Sequence, residues 1–356
     1  MILQQRRARH NIIEFRDPEV KRICVELWGG VSGGTASAAS RVGRRKVKGV
    51  PGELTYQQAA SVTDIGVKDF NDTAIREFTE LRHFTSLAGM GQGTFWRCTS
   101  LEEISIPPSL KRIIHQGFLG CTALKRVNIS DWDAWLDIAF GQANSNPVLF
   151  AKHLYLNGTE VSGNVVIPSG RTTIKSFTLS NLPNMTGVTI PESVTTIKGS
   201  AFRSSGLISV TIPESVTTIE VSAFGNCASL VEAHLPSGLT VLNGELFSSC
   251  GNLESVNIPE GVTTIGPQVF RDCFKFKYVE MPSTVTSIGY NCFYRVAITE
   301  LVMHAVVPPS LTSNGLGAGS SAKVIYVPDE SVEAYKTSDG WSRYESYIKP
   351  ISERVV

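Results

Sequence analysis

Short runs of alternating apolar and polar residues recur along most of the chain. One run reads LISVTIPESVTTIEVSAFGNCAS, in which Val210 and Ile212 alternate with polar residues. Alternation with a period of two predicts a short β-strand with one apolar face. Pro213 has no backbone donor and ends strand pairing at that point. The SVTTI that follows predicts a second, shorter strand, because it is rich in β-branched residues.

The run repeats at a nearly constant interval. VTIPESVTTI occurs at 188–197 and again at 210–219, and VNIPEGVTTI follows at 256–265. The aromatic residues after these segments recur at steps of 22 or 23, at Phe202, Phe224, Phe247, Phe270 and Phe293, and Phe95 and Phe118 are also 23 apart. A fixed period of this length is the signature of a solenoid, because one unit cannot bury its apolar face alone. We therefore expect stacked turns in which each residue lies over its own kind.

The repeat resembles a known family. Its pattern, L-x-x-[VI]-x-I-P-x-x-V-T-x-I-x-x-x-A-F-x-x-C, runs through residues 87–303 and is clearest at 182–303. It is similar to the leucine-rich repeats of bacterial surface antigens, the BspA-like group. The resemblance implies a curved, right-handed, β-rich leucine-rich-repeat solenoid of about nine turns. It also implies recognition rather than catalysis, since studied members act as surface adhesins for host matrix proteins or other cells.

Three parts are expected along the chain. Residues 1–86 are predicted to form a small helical N-terminal cap, 87–303 the repeats, and 304–356 a mixed α/β C-terminal cap. Solenoids need such caps because a terminal repeat otherwise exposes its core. An insert at about 131–161 breaks the period, with a short helix in DWDAWLDIAF and a hairpin turn at Asn157-Gly158. It is either a decorated repeat or a binding outgrowth.

The N-terminal cap contains a helix–loop–helix that resembles half of an EF-hand. The helices are predicted in PEVKRICVELW and GELTYQQAA, the second with a capping box of Thr55 and Gln58. The positions of the calcium ligands carry Val47, Gly49, Pro51 and Gln58. Calcium requires several oxygen ligands and a bidentate acid at the twelfth position. We therefore expect no calcium binding.

The cysteines do not form a metal pattern. Five of the seven lie three residues after a phenylalanine, at Cys98, Cys121, Cys227, Cys250 and Cys273. Zinc sites use C-x-x-C pairs or Cys/His clusters, whereas these cysteines recur singly. The odd total also argues against a fully paired disulfide framework. A buried ladder of reduced thiols that fills space is the expected arrangement, and no metal or cofactor is expected.

Neither catalysis nor nucleic-acid binding is favoured. GVSGG at 30–34 matches G-x-S-x-G by letter, but Ser32 lies in a Gly/Ala/Ser loop after a helix, not between a strand and a helix. We therefore expect no enzyme activity.

Lys plus Arg is 33 and Asp plus Glu is 32, so the chain has little net charge to attract nucleic acid or an anionic membrane. The basic cluster at 41–48 has no aromatic residues for base stacking and is expected to be a solvated loop.

The location of the protein is left with alternatives. No run of about 18 apolar residues is present, so no membrane span is expected. The basic N-terminus lacks an apolar segment typical of a secretory leader. The family resemblance favours a cell-surface or secreted protein. A phage or contractile injection particle, or the cytoplasm, is the alternative.

The outward positions of the predicted strands change character along the stack. They are mostly Ser and Thr in the middle of the chain, whereas the C-terminal half gathers acidic residues with His and Tyr. The predicted binding patch consists of Glu232, His234, Asn257, Tyr278 and Glu280. Ser105 and Val302 are also expected to face outward. A merely soluble face is the alternative to a binding patch.

The predicted function is binding of protein or glycan by an adhesin-like module of a host-associated bacterium. Host extracellular matrix and mucosal surfaces are the expected targets. A structural or receptor-binding component of a phage or injection particle is the alternative.

Overall fold

The computed structural model describes residues 11–29, 52–312, 314–316 and 324–355. The chain divides into two compact units, Met1–Val161 and Ser162–Val356. The segment with Ser32, the basic cluster at 41–48 and the first part of the EF-hand-like loop lie outside the described residues. The expectations for those segments, like the division at residues 86 and 303, stay predictions.

In its described residues, the N-terminal unit combines four short α-helices with nine strands. The helices are α1 (Pro18–Trp28), α2 (Tyr56–Ala60), α3 (Trp132–Leu136) and α4 (Val148–Ala151). The strands are β1 (Asp64–Ile65), β2 (Glu77–Phe78), β3 (Gly89–Met90), β4 (Glu103–Ile106), β5 (Arg112–Ile113), β6 (Arg126–Ile129), β7 (Ala139–Phe140), β8 (Leu154–Leu156) and β9 (Thr159–Glu160). One parallel sheet has the order β1-β3-β5-β7, and the other has the order β2-β4-β6-β8-β9. Successive turns therefore contribute one strand to each sheet.

The first two helices begin at side-chain caps and cover the start of the repeats. Asp17 accepts hydrogen bonds from the first backbone amides of α1. The capping box of Thr55 and Gln58 at the start of α2 is confirmed. Trp28, at the end of α1, packs edge-on against Phe84 with ring centroids 5.3 Å apart. The helix thus closes one end of an apolar core.

The insert continues both sheets of the N-terminal unit. Its β7 pairs with β5, and its β8 pairs with β6, so neither ladder is interrupted. Trp135 and Phe140 are buried, with ring centroids 5.4 Å apart. Asn157 and Gly158 both have positive φ in the turn between β8 and β9, as a type I′ turn requires. These are features of a decorated repeat.

The C-terminal unit contains the most regular turns. Its strands are β10 (Gly163–Val166), β11 (Thr173–Ile174), β12 (Met185–Thr189), β13 (Thr196–Ile197), β14 (Ser209–Thr211), β15 (Thr218–Ile219), β16 (Glu232–His234), β17 (Val241–Leu242), β18 (Ser255–Asn257), β19 (Thr264–Ile265), β20 (Tyr278–Met281), β21 (Ser287–Ile288), β22 (Glu300–Met303), β23 (Ser310–Leu311), β24 (Val324–Val327) and β25 (Ile348–Pro350), and its helix is α5 (Val332–Thr337). The sheets are β10-β12, β11-β13-β15, β14-β16-β18, β17-β19-β21-β23 and β20-β22-β24-β25. The register places like over like, as in Ile197 opposite Ile219. The β-rich repeat solenoid is therefore confirmed.

Phenylalanine rings stack through the core of each unit. In the C-terminal unit the five predicted rings lie 5.1, 5.9, 6.0 and 5.4 Å apart in sequence order. Phe95 and Phe118 stack at 5.1 Å in the N-terminal unit, where Phe70 extends the column at 5.2 Å. Leu179 takes the place of the ring one turn before Phe202. Its amide donates a hydrogen bond to the Ala201 carbonyl, just as the Phe202 amide donates to the Ala223 carbonyl. The step of 22 or 23 thus produces an aromatic column in each unit.

The ladder cysteines do more than fill space. All seven cysteines are free and buried. Each ladder thiol donates a hydrogen bond to the carbonyl of the column phenylalanine one turn earlier, at 2.9–3.2 Å for Cys98, Cys121, Cys227, Cys250 and Cys273. Burial raises the pKa of the Cys273 thiol well above its ordinary value. The Cys273 thiol is therefore kept in the protonated form that can donate.

Two residues of each regular turn adopt a left-handed backbone conformation. These left-handed positions are Ser200, Ser222, Glu245, Gln268 and Asn291 before the phenylalanine, and Ser204, Asn226, Ser249, Asp272 and Arg295 after it. Their amides point along the stack: Glu245 donates to Pro267 at 2.9 Å, and Ser249 donates to Arg271 at 2.7 Å. The conformation is costly for a residue with a Cβ, and the bond to the next turn offsets that cost.

A small cap ends the C-terminal unit. Trp341 and Tyr335 are fully buried, with ring centroids 5.0 Å apart. The Trp341 indole donates to the Pro309 carbonyl at 2.7 Å, and the Tyr335 hydroxyl donates to the Ala305 carbonyl at 2.8 Å. Ile348 belongs to β25, which adds to the sheet of β20, β22 and β24.

Candidate functional site

Neighbouring strands of the C-terminal unit carry the predicted binding residues. They are Glu232 and His234 in β16, Asn257 in β18, and Tyr278 and Glu280 in β20. His234 lies opposite Asn257 in the β16–β18 register, and β18 and β20 are in contact. Ala233, between the two outward residues of β16, is fully buried, as strand alternation requires. The sequence pattern therefore places all five on one face.

These residues line one surface depression. Its volume is about 440 Å³, and its wall also contains Glu254, Glu260 and His304. Four of its lining residues are glutamates, and none of those the structure describes there is lysine or arginine. We call it the acidic depression. It concentrates negative charge on a face of a chain that is nearly neutral overall.

Glu280 is the centre of a polar network in the acidic depression. One of its oxygens accepts from the Tyr278 hydroxyl, and the other lies 2.7 Å from Nε2 of His304. The hydrogen bond from Tyr278, followed by that from His304, lowers the pKa of Glu280. Burial and the neighbouring Glu280 raise the pKa of Tyr278. The carboxylate is therefore kept ionised and the phenol protonated.

A second Glu–His pair lies at the other end of the acidic depression. Nε2 of His234 is 3.1 Å from an oxygen of Glu232, and both side chains are about half exposed. Because exposed pairs of this kind contribute little to stability, both side chains remain available to a ligand.

The side-chain amide of Asn257 is hydrogen-bonded within the wall of the acidic depression. Its Oδ1 accepts from the Leu235 amide at 2.7 Å, and its Nδ2 donates to the Leu235 carbonyl at 3.0 Å. The residue after Leu235 is Pro236, so the side-chain amide of Asn257 continues the pairing where the strand ends. Asn257 therefore lines the depression as a support for its wall.

Glu260 also ties successive turns together. One of its oxygens accepts from the amide of Ser283 at 3.2 Å and from its hydroxyl at 3.0 Å. Glu214 makes the same contacts to Ser237, at 2.9 and 2.6 Å. A repeated contact of this kind belongs to the scaffold. Glu254 lies 3.9 Å from Nζ of Lys275. The carboxylates of Glu232 and Glu280 remain as the candidates for ligand contact.

An arginine from the end of the chain lies beside the acidic depression. Arg354 donates from Nε to Glu300 at 2.6 Å and from a terminal nitrogen to the Tyr278 hydroxyl at 3.0 Å. Its guanidinium carbon lies 5.3 Å from the centroid of the Tyr278 ring. The sequence offered no signal for this contact. His304 could have been found, because it continues the alternating outward series of Glu300 in β22.

Two residues that were expected to face outward are buried instead. Ser105 is 6% exposed, because the 3₁₀ helix Thr79–His83 packs against β4. Val302 is fully buried and lies in register between Glu280 and Tyr326, whose longer side chains flank it. Alternation gives the side of the sheet on which a residue lies, not what covers it, so it did not predict the burial of these two residues.

Within the described ranges, no group of three or more His, Cys, Asp or Glu side chains could hold a metal ion. Nor does that part of the chain contain a helix long and apolar enough to cross a membrane.

A protein-family model matches most of the chain. The model, described as the BspA type leucine rich repeat region, matches in six copies over residues 54–147, 152–273 and 199–313. A search of curated proteins found no match. The resemblance inferred from the repeat pattern is confirmed.

Several solved structures are similar in fold. The pneumococcal vaccine antigen PcpA has a TM-score of 0.51 at 16% identity, covering 82% of this chain and 76% of that one. A leucine-rich cell surface protein from Faecalibacterium prausnitzii has a TM-score of 0.43 at 20% identity, covering 76% and 78%. A leucine-rich repeat protein from Bacteroides ovatus has a TM-score of 0.42 at 17% identity, covering 84% and 88%. At these identities the similarity concerns the fold alone.

Proposed function

The chain belongs to the BspA-type leucine-rich-repeat family, and on that premise we propose that it is a non-enzymatic, adhesin-like protein that binds a protein ligand through the acidic depression. Repeat solenoids commonly present extended binding surfaces built from many turns. In this function the repeats are the scaffold, and the outward side chains of β16, β20 and β22 form the recognition surface.

The observation that supports the proposal most is the position of Tyr278. Its side chain is 40% exposed on a strand face, beside the carboxylate of Glu280 and above a buried core. Tyrosine is enriched among residues that dominate binding energy, because it offers a large rigid surface and a polar end. Strands held on both sides by neighbouring turns fix the side chain before a ligand arrives, which reduces the entropy cost of binding.

The location of the protein is part of the same proposal. Members of the family act at the bacterial surface, and a surface location would bring the acidic depression into contact with host matrix or mucosa. Protease treatment of intact cells of the source bacterium, followed by detection with an antibody against this chain, tests it. Loss of the signal from intact cells supports a surface location, whereas protection until lysis contradicts it.

Binding is tested with the full chain immobilised and a panel of purified host matrix proteins and mucin glycans in solution. We expect a protein in the panel to bind, and Tyr278→Ala to weaken that binding about tenfold or more, as loss of a central aromatic contact does. Tyr290→Ala is the matched control, because Tyr290 is 49% exposed and does not line the depression. Binding that tolerates Tyr278→Ala, or binding only of glycans, would contradict the proposal.

A further inference from the structure

We infer that residues 351–354, which follow β25, form a strap that closes over Tyr278 and has to open before a ligand can use that side chain. The strap consists of the 3₁₀ helix Ile351–Glu353 together with Arg354. This inference rests on the proposed function and adds a conformational control to the same site.

The strap reaches Tyr278 through one side chain. Arg354 donates to the Tyr278 hydroxyl at 3.0 Å, and its guanidinium carbon lies 5.3 Å from the centroid of the ring. A tyrosine contributes to binding through the ring surface that the ligand covers and through its hydroxyl. Because the guanidinium already occupies one side of both, a ligand has to displace it to gain the whole side chain.

A charge pair holds the strap closed. Nε of Arg354 donates to Glu300 at 2.6 Å, and Glu300 lies opposite Tyr278 in the β20–β22 register. The side chains of Arg354 and Glu300 are 24% and 31% exposed. A pair with this much access to water contributes modestly to stability and weakens as salt rises. The closed position can therefore be reversed by a ligand or by added salt.

Little else fixes the strap. The Ser352 amide donates to the Asp329 carboxylate at 3.0 Å, and Lys349 lies 4.0 Å from Glu353. No residue of the strap is buried. Segments with few buried apolar contacts open at a low cost in free energy. The strap can therefore open while β25 stays paired with β24.

The strap sets the fraction of the protein that is ready to bind. When only that fraction can bind, the apparent dissociation constant is the intrinsic constant divided by the fraction. A change that opens the strap should therefore tighten the binding of a ligand that uses Tyr278, although the change adds no contact with the ligand.

Hydroxyl-radical labelling of the full chain, followed by mass spectrometry, observes the strap without a ligand. Labelling of a tyrosine rises with its exposure, and Tyr290, which is 49% exposed, is the internal standard. Tyr278 is 40% exposed with the strap closed. We expect Arg354→Ala and Glu300→Gln each to raise the labelling of Tyr278 relative to Tyr290 by about 1.5-fold or more.

The same ratio should rise in the unmodified protein as salt is added, because salt weakens the pair that closes the strap. A labelling ratio that responds neither to the substitutions nor to salt would overturn the inference.

The two substitutions also test the effect of the strap on binding. Arg354→Ala removes a positive charge and Glu300→Gln removes a negative one, yet both should open the strap. For a host matrix protein whose binding depends on Tyr278, both should raise the affinity by about threefold or more. An electrostatic effect on the ligand would shift the two affinities in opposite directions, and opposite shifts or unchanged affinities would overturn the inference.

Arg343→Ala is the matched control. Arg343 is exposed in the same cap and lies outside the strap, so its loss should change neither the labelling ratio nor the affinity. Thermal melting checks that each variant is folded. A gain in affinity from Arg343→Ala equal to that from Arg354→Ala would show that the strap is not the cause.

The outcomes separate this inference from the proposed function. If a matrix protein needs Tyr278 but its affinity responds to neither Arg354→Ala nor Glu300→Gln, the inference is wrong and the function stands. If no protein in the panel needs Tyr278, the proposed function is wrong, and the labelling ratio alone decides whether the strap opens.

Discussion

Phe247 shows how one residue depends on its neighbours in adjacent turns. Its ring lies 5.9 Å from Phe224 and 6.0 Å from Phe270, and it is fully buried. The same environment recurs around each ring of the column, which is why the sequence repeats the residue. Removing one ring leaves a cavity between two others, and parallel strands above and below limit the collapse that could fill it.

We predict that Phe247→Ala lowers the free energy of unfolding by about 3–5 kcal/mol. Urea unfolding followed by circular dichroism measures it. Phe274→Ala is the control, because Phe274 is 48% exposed, and it should cost less than about 1 kcal/mol. A similar, small effect of both changes would mean that the column is not tightly packed.

At the scale of the element, the left-handed positions explain how each turn joins the next. The left-handed backbone conformation is unfavourable, but it directs the amide toward the following turn. The Ser249 amide, for example, donates to the Arg271 carbonyl at 2.7 Å. The residues there are mostly Ser, Asn, Asp, Gln or Glu, and not β-branched. A β-branched side chain has the least tolerance for positive φ, whereas it is favoured in an extended strand.

We therefore predict opposite outcomes for the same substitution at two sites. Ser249→Val, at φ of 63°, should destabilise the protein by about 1–3 kcal/mol. Ser255→Val, at an exposed position of β18, should be neutral or slightly stabilising. Thermal melting of the two variants measures the difference. Equal melting temperatures would show that strain at Ser249 is absorbed by the turn.

At the scale of the whole molecule, the chain is nearly neutral but its carboxylates are widely engaged. Hydrogen bonds from Lys125, followed by Arg76, lower the pKa of Glu102 to about 2. Tyr278 and His304 lower the pKa of Glu280. Burial lowers the pKa of His83, so its neutral form is favoured in the folded protein. All three groups bind protons more weakly when the protein is folded.

Acid should therefore destabilise the protein. For a lowered pKa, the stabilisation is present above the unfolded value and is lost as the pH falls through the folded value. For Glu102 that window runs from about pH 4.5 to about pH 2, and His83 begins to contribute below its ordinary value of 6.5. We expect the melting temperature to fall by roughly 5 °C or more between pH 7 and pH 3. Glu102→Gln should reduce the difference in melting temperature between pH 7 and pH 3. An equal melting temperature of the unmodified protein at the two pH values would contradict the prediction.

Much of the fold could be predicted from the repeats, because every regular turn has the same two neighbours. The two strands per turn, the phenylalanine column and the cysteine ladder follow from a period of 22 or 23 together with strand alternation. The left-handed positions could have been noticed as the polar residues two places before and after each phenylalanine. They were missed because no apolar pattern marks them.

The candidate site was only partly predictable. Alternation put Glu232, Tyr278 and Glu280 on one face. It also placed Asn257 there as a binding residue, but it could not show that the Asn257 side-chain amide is hydrogen-bonded to the Leu235 backbone. Alternation could not predict the contacts of Arg354, because this residue is 54 residues from Glu300 and 76 from Tyr278 along the chain. The sequence by itself determined the stacked turns, since periodicity and alternation act between like neighbours. Only the tertiary structure decided which outward side chains are covered, engaged or free, because long side chains and non-repeating segments reach across turns in ways that no period encodes.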